Sequence, residues 1–592
     1  MKGKTNPYPN TSVIAIVFIA VAMLCSCKQT TTSTTTFPDN RTNQEILFDD
    51  GNFAMFIHFG LYSKMEGEWQ GKRYYGNAEW IKHQAGIPAD EYMKEAATFN
   101  PDEFDAEAIV KLAKDAGMRY IVITSKHHEG FAMFDSDYCD FNICDATPLK
   151  RDLMKELADA CHRNGLGIGF YYSQWQDWTA PGGAGGPSTD AEGRTVTFEE
   201  YFRNKCIPQV NELTTKYGEI QLIWFDTPGE LSKAASEELV ALVRKNQPNA
   251  LVSSRVGNGV GDYDTLNDMQ VPLTNHKGRW EGIDVMQVGW GFSKFDNEWK
   301  SPDYIVRTLV SVVARGGNFL FNIGPDSKGR IPGQAAASLR TVGKWVKKYP
   351  QVVYGAEASP WEHALPWGDV VVNHDKLYLV VFSWPQDGEL WLPGLQNNVK
   401  KARIVGGATL TTRKEGTWTC IETPYECPDR LASVIELSID DEISVDNTPA
   451  VNPNGSSTLL PIEFATVEKC EVSHSQWMEK FGEWKFKVNV GGITAESKIH
   501  WTADFKEPGY YDIEVECKGD GSADWMMTTD EGNTIVDRHN LHERYEWQRL
   551  GWLKIDKAGQ HKLSLSVTDA DWQQVNVGSI RVEPVGIQTD WN

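Results

Sequence analysis

Between Phe53 and Tyr349 the chain alternates short apolar runs with longer stretches in which apolar residues recur at helical spacing. Seven runs read as strands: FAMFIHFG (53–60), YIVITS (120–125), LGIGFYYS (166–173), IQLIWFD (220–226), ALVSSR (250–255), VMQVG (285–289) and NFLFNIG (318–324). Near-continuous apolar runs are what strands buried on both faces look like, and parallel strands need crossover connections, usually helices. FDAEAIVKLAKDAG, KRDLMKELADACHRNG and DYIVRTLVSVVARGG fit those crossovers, and Gly117 and Gly165 stand where a helix C-cap is expected. The pattern predicts an α/β domain over 45–350, a TIM-like (β/α) barrel whose eighth strand is not visible and which is therefore irregular. A doubly wound sheet is the alternative, but no GxGxxG or Walker loop follows any strand.

After Pro350 the helical period stops. KLYLVVFSW, ELWLPG and ASVIELSI alternate with period two and predict a β-sandwich over 351–446. The Pro-, Asn- and Ser-rich stretch DNTPAVNPNGSSTLLP marks 447–461 as a linker. GYYDIEVECKG, HKLSLSV and VNVGSIRVEP then predict a second β-rich unit of jelly-roll character over 462–592, without an internal repeat. Trp525, Trp547 and Trp552 make it a candidate carbohydrate-binding unit, with a purely structural role as the competing reading.

Composition changes this picture in two ways. A length of 592 residues requires several cores, and a net charge of -23 without a Lys/Arg run excludes nucleic acid as partner and favours a neutral substrate. Twenty-two Trp, twenty Tyr and twenty-four Phe are many; core packing accounts for most of them, and exposed rings stack on the apolar faces of sugars. At the start, Lys2 and Lys4 precede SVIAIVFIAVAMLCSC, too short to span a bilayer comfortably. Residues 1–27 read as a lipoprotein signal peptide with Cys27 as the lipidated residue, and 28–44 as a flexible tether. The expectation is an exported, membrane-anchored lipoprotein of the bacterial periplasm or outer membrane. Eight cysteines remain from Cys139 to Cys517, with no CxxC pair, so a zinc site is excluded while one or two disulfides are admitted. Oligomeric state is not legible.

In a barrel of this kind reactive groups stand at the C-terminal strand ends. Those ends carry His58, then His127 and His128, then Tyr171 and Tyr172, then Asp226, then Arg255. Each has a bland alternative; five polar ends in succession do not. Adjacent His127 and His128 lack the i, i+4 spacing of a helical metal pair, so they read as hydrogen-bonding groups for vicinal hydroxyls, with no metal and no cofactor. Asp226, at the tip of an apolar strand, suits a nucleophile, against the lesser reading that it caps a helix starting near Glu230. Its acid partner is expected on a loop between the fifth and sixth runs, where Glu281 has Trp280 beside it as an apolar wall that keeps a carboxyl protonated. The loop QWQDWTAPGGAGGPSTD carries Trp175 and Trp178 and reads as a lid, a leaving-group subsite or a plain surface loop.

FIHFGLYS, AEW, TSKHHEGFAMFDS, KRDL, YYS, WFD, WEGIDVMQVGWGF and GGNFLFNIGPDSKGRIP, in this order, resemble the motif series of the α-L-fucosidases of glycoside hydrolase family 29. The resemblance spans the barrel. It implies a retaining exo-α-L-fucosidase that removes terminal fucose from oligosaccharides or glycoconjugates, with Asp226 as nucleophile and Glu281 as acid/base. It also implies substrate contacts from His58, Glu79, Trp80, His127, His128, Tyr171, Trp224 and Arg255. A β-galactoside, a sulfated fucoside, or non-catalytic glycan binding by a lipoprotein are the alternatives. One departure stands out: Thr227 follows Asp226 where the family more usually has Gly.

Overall fold

The computed structural model describes residues 41–451, 457–478, 484–570 and 574–585. The signal segment with Cys27 and the tether up to residue 40 lie outside the described residues. Among those described, no helix is long and apolar enough to cross a membrane. The tether expected to run to 44 ends earlier. Thr42 and Glu45 form a reciprocal capping box for helix Asn43–Asp49, and Gln44 donates to Glu219 at 2.6 Å.

Eight parallel strands form the main sheet: β1 Phe53–Ile57, β2 Tyr120–Lys126, β3 Gly167–Ser173, β4 Leu222–Asp226, β5 Leu251–Val252, β6 Asp264–Thr265, β7 Trp280–Val285 and β8 Asn318–Ile323. Hydrogen bonding runs β5-β4-β3-β2-β1-β8-β7-β6, and one parallel bridge, Ser253 to Tyr263, joins β5 to β6 and closes the barrel. The strand the sequence hid is β6, two residues long. The sixth run was misplaced as well. VMQVG does not form the strand; WEGIDV does, four to five residues earlier, because Glu281, Gly282 and Asp284 interrupt the apolar run that marks the other strands.

Inward side chains alternate along each strand, so the interior is stacked in layers. Phe48 plugs the bottom, its ring 4.6 Å from that of Tyr263. Above it lie Tyr120, Leu222, Ile283, Leu320, Phe56 and Trp224 in one buried cluster. Helices pack outside the barrel. Ala106–Ala116 and Leu153–Asn164 are N-capped by Asp105 and Asp152 and closed by left-handed Gly117 and Gly165.

Residues 368–439 form a five-stranded and a three-stranded antiparallel sheet. This unit is fastened to the barrel by the buried pair Arg315 and Asp369, 2.7 Å apart, and by the Trp345 indole N–H donating to Ala432 O. The last unit is a sandwich of two six-stranded sheets. The predicted linker is partly woven into it: Ala450–Val451 pairs with Lys498–Phe505 and Thr458–Pro461 pairs with Asn576–Pro584. Buried Val451 and Leu460 make that connection, two apolar residues that the surrounding Pro and Asn mask. Trp525 is core, 1% exposed, which removes it from the candidate carbohydrate contacts. All eight cysteines from Cys139 to Cys517 are free thiols, so the disulfides the sequence admits do not form.

Candidate active site

Asp226 closes β4 with its side chain inward above Trp224, as the alternation Leu222, Trp224, Asp226 requires. Its Oδ2 accepts from the Tyr171 hydroxyl at 2.8 Å. Its Oδ1 accepts from Arg255 Nη1 at 3.1 Å and from the Thr227 N–H at 2.9 Å. Burial works against the charge, but Arg255, His128 and Tyr171 outweigh it and hold the carboxyl below its ordinary range. Asp226 caps no helix, since the next one, Lys233–Asn246, is capped by Ser232. The chain turns away at Thr227, a β-branched residue in left-handed backbone at φ 49°.

Three imidazoles line the same end. His58 Nδ1 lies 2.7 Å from Asn322 Oδ1, whose amide is fixed by donation from Nδ2 to Trp290 O. The proton therefore sits on His58 Nδ1, and Nε2 is left as an acceptor. His128 Nδ1 is 2.7 Å from Ser173 Oγ, which donates to Gln176 O. By the same logic His128 Nε2 is an acceptor, 3.5 Å from Asp226 Oδ2. His128 Nε2 is thus open to accept from a hydroxyl beside Asp226. Burial brings His58 down to about 3 and His128 to about 4, and it holds His127 well below its usual value too. All three are neutral at neutral pH. The His127 and His128 rings, beyond the end of β2, meet at 4.1 Å, and His127 stacks on Tyr171 at 5.4 Å.

Glu79 and Trp80 come from the loop after β1. Glu79 Oε2 accepts from the Gly291 N–H at 2.8 Å, while the buried Oε1 has no protein partner; burial lifts its pKa to about 7. The Trp80 ring packs 5.5 Å from His128 and 5.0 Å from Trp178. Trp178 is 4% exposed and sits in a fixed wall. Its loop is pinned by Asp177, buried between Lys126 at 3.3 Å and Lys205 at 2.8 Å. Trp178 is thus part of a fixed wall and not a lid. Trp175 is the half-buried member, and a Cβ on Gly229 would meet its ring at 2.2 Å.

Glu281 is not part of this cluster. It is the second residue of β7, four residues or ~13 Å short of the strand end. It is fully buried, where Oε1 accepts from Tyr120 at 2.8 Å and Asn318 at 2.9 Å, and Oε2 from the Trp224 indole at 2.9 Å. Trp280 points the other way, donating to Arg315 O under the helices, so it is no wall for that carboxyl. The expectation of an acid on a mobile loop fails because the residue is in a strand.

A second carboxylate does reach the mouth. Arg255, in the turn after β5, donates through Nε to Thr265 Oγ1 at 3.1 Å and through Nη2 to Leu266 O at 3.0 Å. The same Nη2 holds Asp268 at 2.5 Å, while Nη1 holds Asp226. One guanidinium therefore bridges two carboxylates, a spacing compatible with the ~5 Å of a retaining pair. Asp268 follows the two-residue β6 in a loop with no periodic pattern, which is why strand-end reasoning passed it over. Trp290 was also missed, although it lies in the WEGIDVMQVGWGF motif. Its ring stands 5.0 Å from that of His58 and offers an apolar wall.

The alpha-L-fucosidase family model matches residues 20–351. The alpha-L-fucosidase of Dictyostelium discoideum is 28% identical over 391 residues, covering 61% of this chain and 82% of its own length. The crystal structure of alpha-L-fucosidase from Vibrio sp. strain EJY3 is 30% identical with a TM-score of 0.74, covering 90% of this chain and 97% of that one. A Bacteroides thetaiotaomicron GH29 alpha-L-fucosidase, trapped as a covalent intermediate with 2-fluoro-fucosyl fluoride, is 28% identical with a TM-score of 0.62. It covers 68% of this chain and 97% of its own.

Proposed function

Because the chain belongs to the alpha-L-fucosidase family of glycoside hydrolases, we propose that Asp226 is the nucleophile and Asp268 the acid/base of a retaining exo-α-L-fucosidase. The observation that carries this reading is the Arg255 guanidinium shared by the two carboxylates. Asp226 attacks the anomeric carbon of the fucosyl unit while Asp268 gives its proton to the departing glycosidic oxygen. The ester between Asp226 and fucose is then cleaved by a water whose proton returns to Asp268. Arg255 is common to both carboxylates; the Tyr171 hydroxyl and the Thr227 N–H donate to Asp226 in addition and keep it the ionised, nucleophilic member of the pair. The trapped covalent intermediate of the Bacteroides relative supports the double displacement.

His58, His127, His128, Glu79 and Tyr171 supply acceptors and donors for the three ring hydroxyls of fucose. Trp290, packed beside His58, offers an apolar wall for its methyl group, backed by the buried Phe56 and Trp224 rings. That division matches a 6-deoxy sugar better than galactose, whose additional hydroxyl needs a partner. Mass spectrometry after incubation with 2-fluoro-fucosyl fluoride tests the assignment: the adduct is expected on the peptide carrying Asp226. Labelling of any other residue would sink it. We also propose export and anchoring through a lipid on Cys27, supported by the sequence of the first 27 residues. Cys27→Ser should release the protein from the membrane fraction, and unchanged fractionation would refute anchoring.

A further inference from the structure

In the last unit, strands β9 Gly509–Lys518, β10 Glu546–Ile555 and β11 Asn576–Pro584 lie side by side, with β9 in the middle. On β9 the residues Tyr511, Ile513, Val515 and Cys517 are buried inward, so Tyr510, Asp512, Glu514 and Glu516 face out. Trp552 stands opposite Asp512, and Tyr510 opposite Lys554. Tyr510 and Trp552 are therefore diagonal neighbours on one face, a spacing of roughly 7–8 Å. Both are open, 52% and 55% exposed. A bulge at Leu550 and Gly551, where Gly551 has φ 118°, resets the strand so that Trp552 points outward.

The polar groups around the rings are already paired. Arg549 Nε donates to Asp512 at 2.7 Å and Arg581 to Glu514 at 2.6 Å, while Lys487 pairs with Glu516. Arg581 also covers Trp547 at 4.0 Å, which leaves Tyr510 and Trp552 as the open rings. Arg549, Arg581 and Lys487 each have a carboxylate on the face and Lys554 has Asp556, while Lys518 and Glu583, opposite Asp512, add one charge of each sign, so the face presents fixed donors and acceptors with no net charge that favours a polyanion or polycation. Two open rings a sugar's length apart, set among preordered hydroxyl partners, match a neutral chain with apolar faces and hydroxyl edges.

We propose that this face binds a neutral glycan chain, with Tyr510 and Trp552 stacking on successive sugars and Arg549 and Asp512 engaging their hydroxyls. The choice of a glycan over other neutral chains rests on the fucosidase reading of the barrel. Its function is to hold the polymer whose branches the barrel trims.

Native affinity electrophoresis of the full chain tests this, using the Asp226→Asn variant so that the polymer is not degraded. Gels contain fucosylated xyloglucan, or polygalacturonate as an anionic comparison, with free fucose added to block the barrel. Retardation by xyloglucan alone is expected, and Tyr510→Ala with Trp552→Ala should weaken it at least tenfold. With Asp226 intact, the same double variant should hydrolyse an aryl fucoside at the parental rate, which keeps failure of this proposal separate from failure of the fucosidase reading. Equal retardation of parent and double variant, none of either, or retardation by polygalacturonate instead would overturn it. So would a change confined to oligomeric state in sedimentation velocity, which would make the face a protein contact.

Discussion

The indole N–H of Trp224 donates to Glu281 Oε2 at 2.9 Å, and the Arg255 guanidinium lies 4.9 Å from the centre of the same indole. Glu281 thus supports the floor of the site from beneath. Glu281→Ala strands three buried donors, those of Trp224, Tyr120 and Asn318, each worth ~1–3 kcal/mol when orphaned. The variant should lose several kcal/mol in urea unfolding, and fucoside turnover should drop as Trp224 shifts. Azide should not restore it. Azide rescue of Glu281→Ala would return the acid/base role to this residue.

For Asp268 the expectation is the reverse. Asp268→Ala removes no buried acceptor of the core, so unfolding should change by less than ~1 kcal/mol. Turnover of substrates with poor leaving groups should fall ~10²–10⁴-fold, the usual worth of a general acid, with a smaller loss on an activated aryl fucoside. Azide should accelerate the variant and give fucosyl azide with retained configuration. If Glu79→Ala shows that rescue and Asp268→Ala does not, the roles are exchanged.

Why Asp226 was legible and Asp268 was not follows from what marks a strand. A nucleophile that must hold its place ends a rigid apolar strand, and the run LIWFD shows both the strand and its end. Asp268 owes its position to Arg255 across a seam closed by one bridge, Ser253 to Tyr263. The strand before it is two residues long, and no periodicity reports that. Glu281 misled for a related reason. Its strand carries a buried carboxylate that three donors satisfy, so the pattern shows an apolar run only from Val285. The two strands inside the presumed linker at 447–461 escaped for another reason: only two or three buried apolar residues carry them, and the surrounding Pro and Asn mask those. The fold was readable where apolar burial runs unbroken, and misread where hydrogen bonds do the burying or the apolar run is too short to show.

Three buried carboxyls make stability depend on pH. Burial raises Glu129 to about 8 and both Glu79 and Glu281 to about 7. The folded state therefore holds these protons more tightly than the unfolded chain, where a Glu titrates near ~4.3. Their stabilising effect is complete below that value and is lost as pH rises through the folded values. The three neutral histidines of the site act in the opposite sense below about pH 6.5, because the unfolded chain protonates them and the fold does not, so Tm should fall between about pH 6.5 and pH 8. Neither Glu129 oxygen has a hydrogen-bond partner, and the neutral His127 ring stands 3.8 Å from Oε2, so Glu129→Gln replaces a titrating group with a neutral one of equal size. It should raise Tm relative to the parent at pH 8.5 and leave it unchanged near pH 4.5. A parallel shift at both pH values would mean that Glu129 does not titrate in this range.

The turn after Asp226 gives the sharpest local test. Thr227 holds φ 49° while its N–H donates to Asp226 Oδ1 at 2.9 Å. A left-handed residue with a Cβ costs roughly 1–2 kcal/mol, whereas Gly is free of that strain and loses roughly 0.5–1 kcal/mol in backbone entropy. Thr227→Gly should therefore match or exceed the parent in stability by up to about 1 kcal/mol, and keep turnover within about threefold because the N–H remains. Thr227→Pro cannot reach φ 49° and has no N–H to offer. It should cut kcat/KM at least ~100-fold, since a reacting group displaced by an ångström can lose that much. Comparing the two variants by urea unfolding and aryl-fucoside kinetics separates the side chain from the backbone. If Thr227→Gly loses activity as Thr227→Pro does, the Thr side chain itself contributes to the site, and the N–H to Asp226 is not what the turn preserves.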